Sequence, residues 1–140
     1  MNVKDWQPIV TFNNSNVDLS AVWFKVADHI SAGKVLKFSA AGQWSFLPDL
    51  GKKCGPDGFL GFPLPYEKLL VPTTPLGALI GKLGGSTADQ KDGTLFTIGT
   101  FTVVVAPDKS GPLYIGINAA PGAPISRLDQ LRLDVSIADP

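Results

Sequence analysis

A two-residue hydrophobic period, interrupted at short intervals by glycine and proline, most limits what this chain can fold into. In Gln130–Ile137, Leu131, Leu133, Val135 and Ile137 fall on one side, and Arg132, Asp134 and Ser136 on the other. That alternation belongs to a half-buried strand. In Lys34–Ala40, Leu36, Phe38 and Ala40 share one face and Val35, Lys37 and Ser39 the other. Leu113, Ile115 and Ile117 repeat the pattern with Tyr114 opposite. Phe101, Val103 and Val105 do so too, but Val104 is also apolar, which predicts a strand covered on both faces. Ile9–Asn13, Leu19–Lys25, Gln43–Phe46, Ala78–Leu83 and Thr94–Ile98 read as further strands. The 15 glycines and 12 prolines lie between these runs rather than in one linker. About nine short strands with no competing 3.6-residue period predict an all-β protein. Two packed antiparallel sheets, a jelly-roll-like β-sandwich, bury that many single faces.

The 140 residues predict a single domain over 1–140. Hydrophobic residues make up 44% and charged residues 17%, a globular balance. Twelve basic and 12 acidic side chains give a formal net charge of zero. A nucleic-acid or anionic-membrane partner is therefore not expected. No apolar run reaches the roughly 20 residues of a membrane helix, so membrane insertion is not expected either. Met1–Trp6 shows no basic segment leading into an apolar one, so no signal peptide is visible. The expected location is the cytoplasm, or outside the cell by a route without such a signal.

The chemistry-bearing motifs are sparse. Pro75–Gly84 (PLGALIGKLG) is glycine-rich, yet Gly81-Lys82 is followed by Leu83 and preceded at the critical spacing by Leu76, which is not a phosphate loop. It reads instead as a buried strand whose glycines admit close approach of another backbone. His29, the only histidine, falls in an expected turn before the Lys34 strand, with no partner preset for a catalytic triad. Glu67 is the only glutamate, against the paired carboxylates of a glycosidase. The expectation is that the protein is not an enzyme. Cys54 stands alone, so no disulfide forms within the chain, and it reads as a small buried hydrophobe. Pro48–Thr74 is long, rich in proline, glycine and aromatics, and aperiodic, as functional loops are. Phe59, Phe62 and Tyr66 within it could form a stacking rim for a sugar or pack the loop down. Trp23 and Trp44 fall within strands and are expected in the core.

Four segments recur in a fixed order: Lys34–Trp44, Cys54–Gly58, Pro75–Gly84 and Pro112–Asn118, the last followed by Pro121-Gly122. In that order they resemble the Pseudomonas-type galactophilic lectins and the wider set of bacterial galactose-binding-like sandwiches. The resemblance implies a non-catalytic lectin domain, homo-oligomeric, binding galactosides or related glycans through calcium. It implies metal ligands at Phe46 (a backbone carbonyl), Asn118 and Asp129, and a ligand site among Phe46, Asp57, Phe59, Phe62, Tyr66, Asn118 and Asp129. The chain departs from the pattern where Ala119 follows Asn118 and Ala123 follows Pro121-Gly122, positions that carry Asp and Thr in those lectins. Calcium takes about six to eight oxygens, several of them charged, and this set is short of that. Two expectations stand: a glycan-binding module with little or no use for calcium, or a structural or protein-interaction module of the same fold that has lost its sugar.

Overall fold

The computed structural model describes residues 5–14, 23–45, 53–61, 63–86, 92–106, 110–119 and 127–140. Eight strands are formed among them: β1 (Gln7–Asn14), β2 (Phe24–Ile30), β3 (Val35–Ser45), β4 (Leu79–Leu83), β5 (Thr94–Thr97), β6 (Phe101–Val105), β7 (Gly111–Ile117) and β8 (Arg127–Ala138). They build two four-stranded sheets, ordered β1-β8-β3-β6 and β2-β7-β4-β5. All pairings are antiparallel. The order is that of a jelly roll. Doubled back at the β4–β5 hairpin, the chain runs as one long ribbon in which β1 meets β8, β2 meets β7, and β3 meets β6. Wrapping that ribbon brings β8 beside β3 and β7 beside β4, which completes the two sheets.

Hydrophobic burial follows the alternation. Leu36, Phe38 and Ala40 of β3, Leu131, Leu133 and Val135 of β8, and Leu113, Ile115 and Ile117 of β7 point into the space between the sheets. Trp44 fills one end of that core with no exposed surface. Phe96 of β5 tilts over Phe38 with ring centroids 5.4 Å apart. Its ring lies directly on Gly81, where a Cβ would come within 2.4 Å of it. The residue that Gly81 admits is thus an aromatic side chain, not the backbone expected from sequence.

The outer face of the β2-β7-β4-β5 sheet is covered as well. Trp23, Leu70, Ile80 and Tyr114 form a second buried cluster there, with Val71 and Leu95 against it. Lys82 lies fully buried in this layer. Its ammonium sits 5.3 Å from the Trp23 ring centre and 5.1 Å from that of Tyr114. It donates to the Asp92 carboxylate at 2.7 Å and to the Ser86 carbonyl. Burial of an ammonium is tolerable only with such partners.

The strands differ from expectation in three places. The strands expected at Lys34–Ala40 and Gln43–Phe46 are continuous in one strand, β3, over Val35–Ser45, with Phe46 outside the described residues. The ladder to β8 slips between Ala41 and Gln43, and Gly42 takes φ 143° at the slip. A β-bulge carries the chain through the break in alternation. Of the strand expected at Leu19–Lys25, residues 19–22 lie outside the described set, and Phe24 and Lys25 open β2, which runs on to Ile30. His29 is consequently an exposed strand residue rather than part of a turn. Finally, β6 is not covered on both faces: Phe101, Val103 and Val105 are 61%, 48% and 53% exposed. It ends its sheet, and Thr102 and Val104 take the inner side.

Candidate functional site

The connections that follow β3, precede β4, precede β6 and follow β7 converge at one pole of the sandwich. Short backbone bonds join them. Trp44 and Cys54 exchange N–H···O bonds of 3.0 and 2.9 Å, which hold Cys54 against the end of β3. Leu79 N–H donates to the Pro56 carbonyl and Phe59 N–H to Leu76, both at 2.8 Å. Gly77 and Asn118 are joined by Gly77 N–H to the Asn118 carbonyl, and Asn118 N–H to that of Ala78, again at 2.8 Å. The Trp44 indole donates to the Gly77 carbonyl at 2.7 Å. The Cys54 thiol donates to the same oxygen at 3.7 Å. Burial pushes that thiol up to about 11, so Cys54 is a neutral, enclosed group rather than a nucleophile.

Asp57 stands at the tip of the GPDG turn. Its side chain is exposed, and one carboxylate oxygen accepts the Thr100 backbone N–H at 3.0 Å. The Thr100 hydroxyl lies 3.4 and 3.3 Å from the two carboxylate oxygens. Asp57 therefore clips the 55–58 turn onto the β5–β6 turn, with its remaining lone pairs facing solvent. Only a residue without a Cβ fits at Gly99, where one would come within 2.7 Å of that carboxylate.

Asn118 is fully buried. Its side-chain oxygen accepts the Val71 N–H at 2.9 Å. Its nitrogen donates to the carbonyls of Thr74 at 2.9 Å, Val71 at 3.0 Å and Pro75 at 3.3 Å. The amide is a clamp for the 71–75 segment, which holds Val71, and Leu70 before it, on the outer sheet face. In this arrangement its oxygen faces a backbone donor. Thr74 adds a hydroxyl contact of 2.7 Å to Thr97.

Of the residues expected to form the site, Asp57, Phe59, Tyr66 and Asn118 belong to this pole. Phe59 is half-buried, with its ring packed on the main core. Tyr66 is half-buried and anchors a turn, its N–H bonded to the Pro72 carbonyl and its carbonyl to Leu69 N–H. Phe46 and Phe62 lie outside the described residues, as does the side chain of Asp129, whose backbone pairs with Gln43 near the start of β8. Among the described residues, the large apolar side chains exposed on this loop are Leu60, 82% exposed, and Leu64, 39% exposed. Sequence reasoning weighted the aromatics and passed over both. It also missed Thr100, the partner of Asp57, because 43 residues separate them and no local pattern links a turn Asp to a distant hydroxyl.

Among the described residues, no group of three or more His, Cys, Asp or Glu side chains could hold a metal ion. A separate recess of about 340 Å³ lies at the opposite pole, lined by Asp5, Gln7, Lys34, Ile137, Ala138 and Asp139. Lys34 pairs there with Asp139. No helix of the described residues is long and apolar enough to cross a membrane. No protein-family model matches the chain, and no curated protein matches it.

Proposed function

We infer that the protein is a non-catalytic carbohydrate-binding module whose ligand sits at the pole where the 55–59 turn, the β5–β6 turn and Asn118 meet, without a structural requirement for calcium. The observation that carries the calcium-free part of the reading is the state of Asn118. The side chain that would ligate calcium in the resembled lectins is engaged at both ends by the 71–75 segment. A sugar at this pole then depends on Asp57, whose outer lone pairs accept hydroxyl donors, and on apolar contact from the exposed Leu60. Weak single sites of this kind gain from homo-oligomerisation through avidity.

Exposure of Leu60 and Leu64 beside a tightly tied loop favours a second reading, in which the same pole docks a protein partner and no glycan. Titration of the full chain against a panel of galactosides and related glycans, with calcium and then with chelator, separates the two. The first reading predicts saturable binding unchanged by chelator and weakened at least about tenfold in Leu60→Asp, the loss of one well-placed apolar contact plus a misplaced charge. Absence of glycan binding in both conditions overturns it.

A further inference from the structure

Among the described residues, Phe101 is the one aromatic side chain classed as exposed, with 61% of its surface open to solvent. It follows Thr100, whose N–H and hydroxyl hold the Asp57 carboxylate. The Thr100 carbonyl accepts the Ala40 N–H at 2.9 Å, so one residue fastens that carboxylate to the heads of β6 and β3. Consecutive Cα atoms are about 3.8 Å apart, which sets Phe101 beside the Asp57 clip. Its ring adds little to the core, because Thr102 and Val104 supply the inner side of β6. An aromatic face left to water beside a polar site is a surface on which the C–H face of a sugar stacks.

The strand register carries a row of polar groups away from that ring. Phe101 stands directly opposite Ser39 on β3, Ser39 opposite Asp134 on β8, and Asp134 opposite Thr11 on β1. Paired residues share a face, so this row lies on the outer side of the sheet. Ser39 is exposed, and its hydroxyl is open to solvent. Arg132, two residues before Asp134 on the same face, reaches its carboxylate at 3.5 Å, and both side chains remain partly open. Strands lie about 4.8 Å apart, so from β6 to β8 the row runs about 10 Å, longer than one sugar ring.

We propose that Phe101 and Ser39 form a second subsite, continuous with the Asp57 pole, in which the next sugar of a chain stacks on the Phe101 ring. Its hydroxyls bond Ser39 and the Arg132–Asp134 pair. The ligand is then a glycan of at least two units lying across β6 and β3, not a lone terminal sugar. A glycan fits here better than an apolar partner because hydroxyl, carboxylate and guanidinium groups flank the ring, and each would lose its water beneath an apolar surface. The subsite rests on the sugar reading of the pole, since Asp57 holds the first unit.

Isothermal titration of the full chain with galactose, glucose and mannose, and with β-linked linear oligomers of each, is the test. The dimer is expected to bind at least about tenfold more tightly than the single sugar, the gain of one stacked ring and its hydroxyl bonds. Phe101→Ala is expected to abolish that gain, leave single-sugar binding unchanged and keep the unfolding midpoint, because the side chain is exposed. Phe101→Trp keeps the gain, and Ser39→Ala cuts it several-fold. Val105→Ala, further along the same face of β6, changes none of these. Oligomers that bind no tighter than the single sugar, a gain that survives Phe101→Ala, or a gain lost in Val105→Ala would each overturn the subsite and leave the pole standing on its single-sugar binding. Absence of binding by every sugar would instead overturn the reading of the pole, and the subsite with it.

Discussion

At the scale of single residues, stability rests on a few polar side chains that would be costly if left alone. Asn118 is the clearest. Replacing it with Ala removes four bonds and leaves a backbone donor and three carbonyls of the 71–75 segment without their partner. Asn118→Ala is expected to lower unfolding free energy by about 2–4 kcal/mol in urea titrations, as buried groups deprived of partners do. Asn118→Asp is expected to be no better, because a carboxylate would face carbonyl oxygens. Asn118 is also a lesson in what sequence can say: an amide that grips a metal and one that grips a loop are the same residue, and only burial distinguishes them. Lys82 makes the same point. Its Ile80–Lys82 parity assigns it to the outer face of β4, yet nothing local announces that Trp23, Tyr114 and Asp92 would close over it. The Lys82 ammonium, followed by the Ser86 contacts, holds the Asp92 carboxyl below its ordinary value of 3.8. A lowered folded value gives stability that is present above the ordinary value and lost as pH falls through the folded one. Asp92→Asn should therefore flatten the acid limb of a stability-against-pH profile below about pH 4, relative to wild type. An unchanged acid limb would show that the pair adds nothing. Cys54 acts at the other end of the scale. Its value is raised, so its contribution is complete below the ordinary value of 9.0 and fades as pH climbs toward about 11. Thiol reagents at neutral pH should label it only after unfolding.

At the scale of elements, the alternation was a good guide wherever a strand has one buried face and a straight ladder. β8 and β7 were legible for that reason, down to which side chains enter the core. β3 was read as two strands because the bulge at Gly42 resets the period, and a reset looks like an end. β2 runs on past the expected end at Lys25 because its two register slips interrupt the period there. β6 shows a different limit. Period two sorts Phe101, Val103 and Val105 from Thr102 and Val104, but it cannot say which side another layer will cover. Gly81 tests how closely the sheets are fitted. Gly81→Ala would set a methyl against the Phe96 ring, displace it from Phe38, and lower stability by about 1–3 kcal/mol, the usual range for overpacking. The near-ultraviolet spectrum should change with it. An Ala variant as stable as wild type would mean that the ring moves without loss.

At the scale of the whole molecule, the jelly roll separates two jobs. The sheets make a closed core in which, among the described residues, every buried side-chain nitrogen or oxygen has a hydrogen-bond partner. The poles carry the connections, and the pole near Asp57 gathers segments that are far apart in sequence. The ordered segments pointed to this architecture, and the two four-stranded sheets agree with it. The site was less legible, since the same loop residues serve to tie the pole together: Asp57 clips one turn to another, and Phe59 packs inward. The account therefore stands on one functional claim, that a sugar is held here without calcium. The measurement that tests it most directly is glycan-array binding by the intact protein, run with excess calcium and again with chelator. The account predicts the same glycans bound to the same extent in both. Binding that appears only with calcium, or no binding in either, would contradict it.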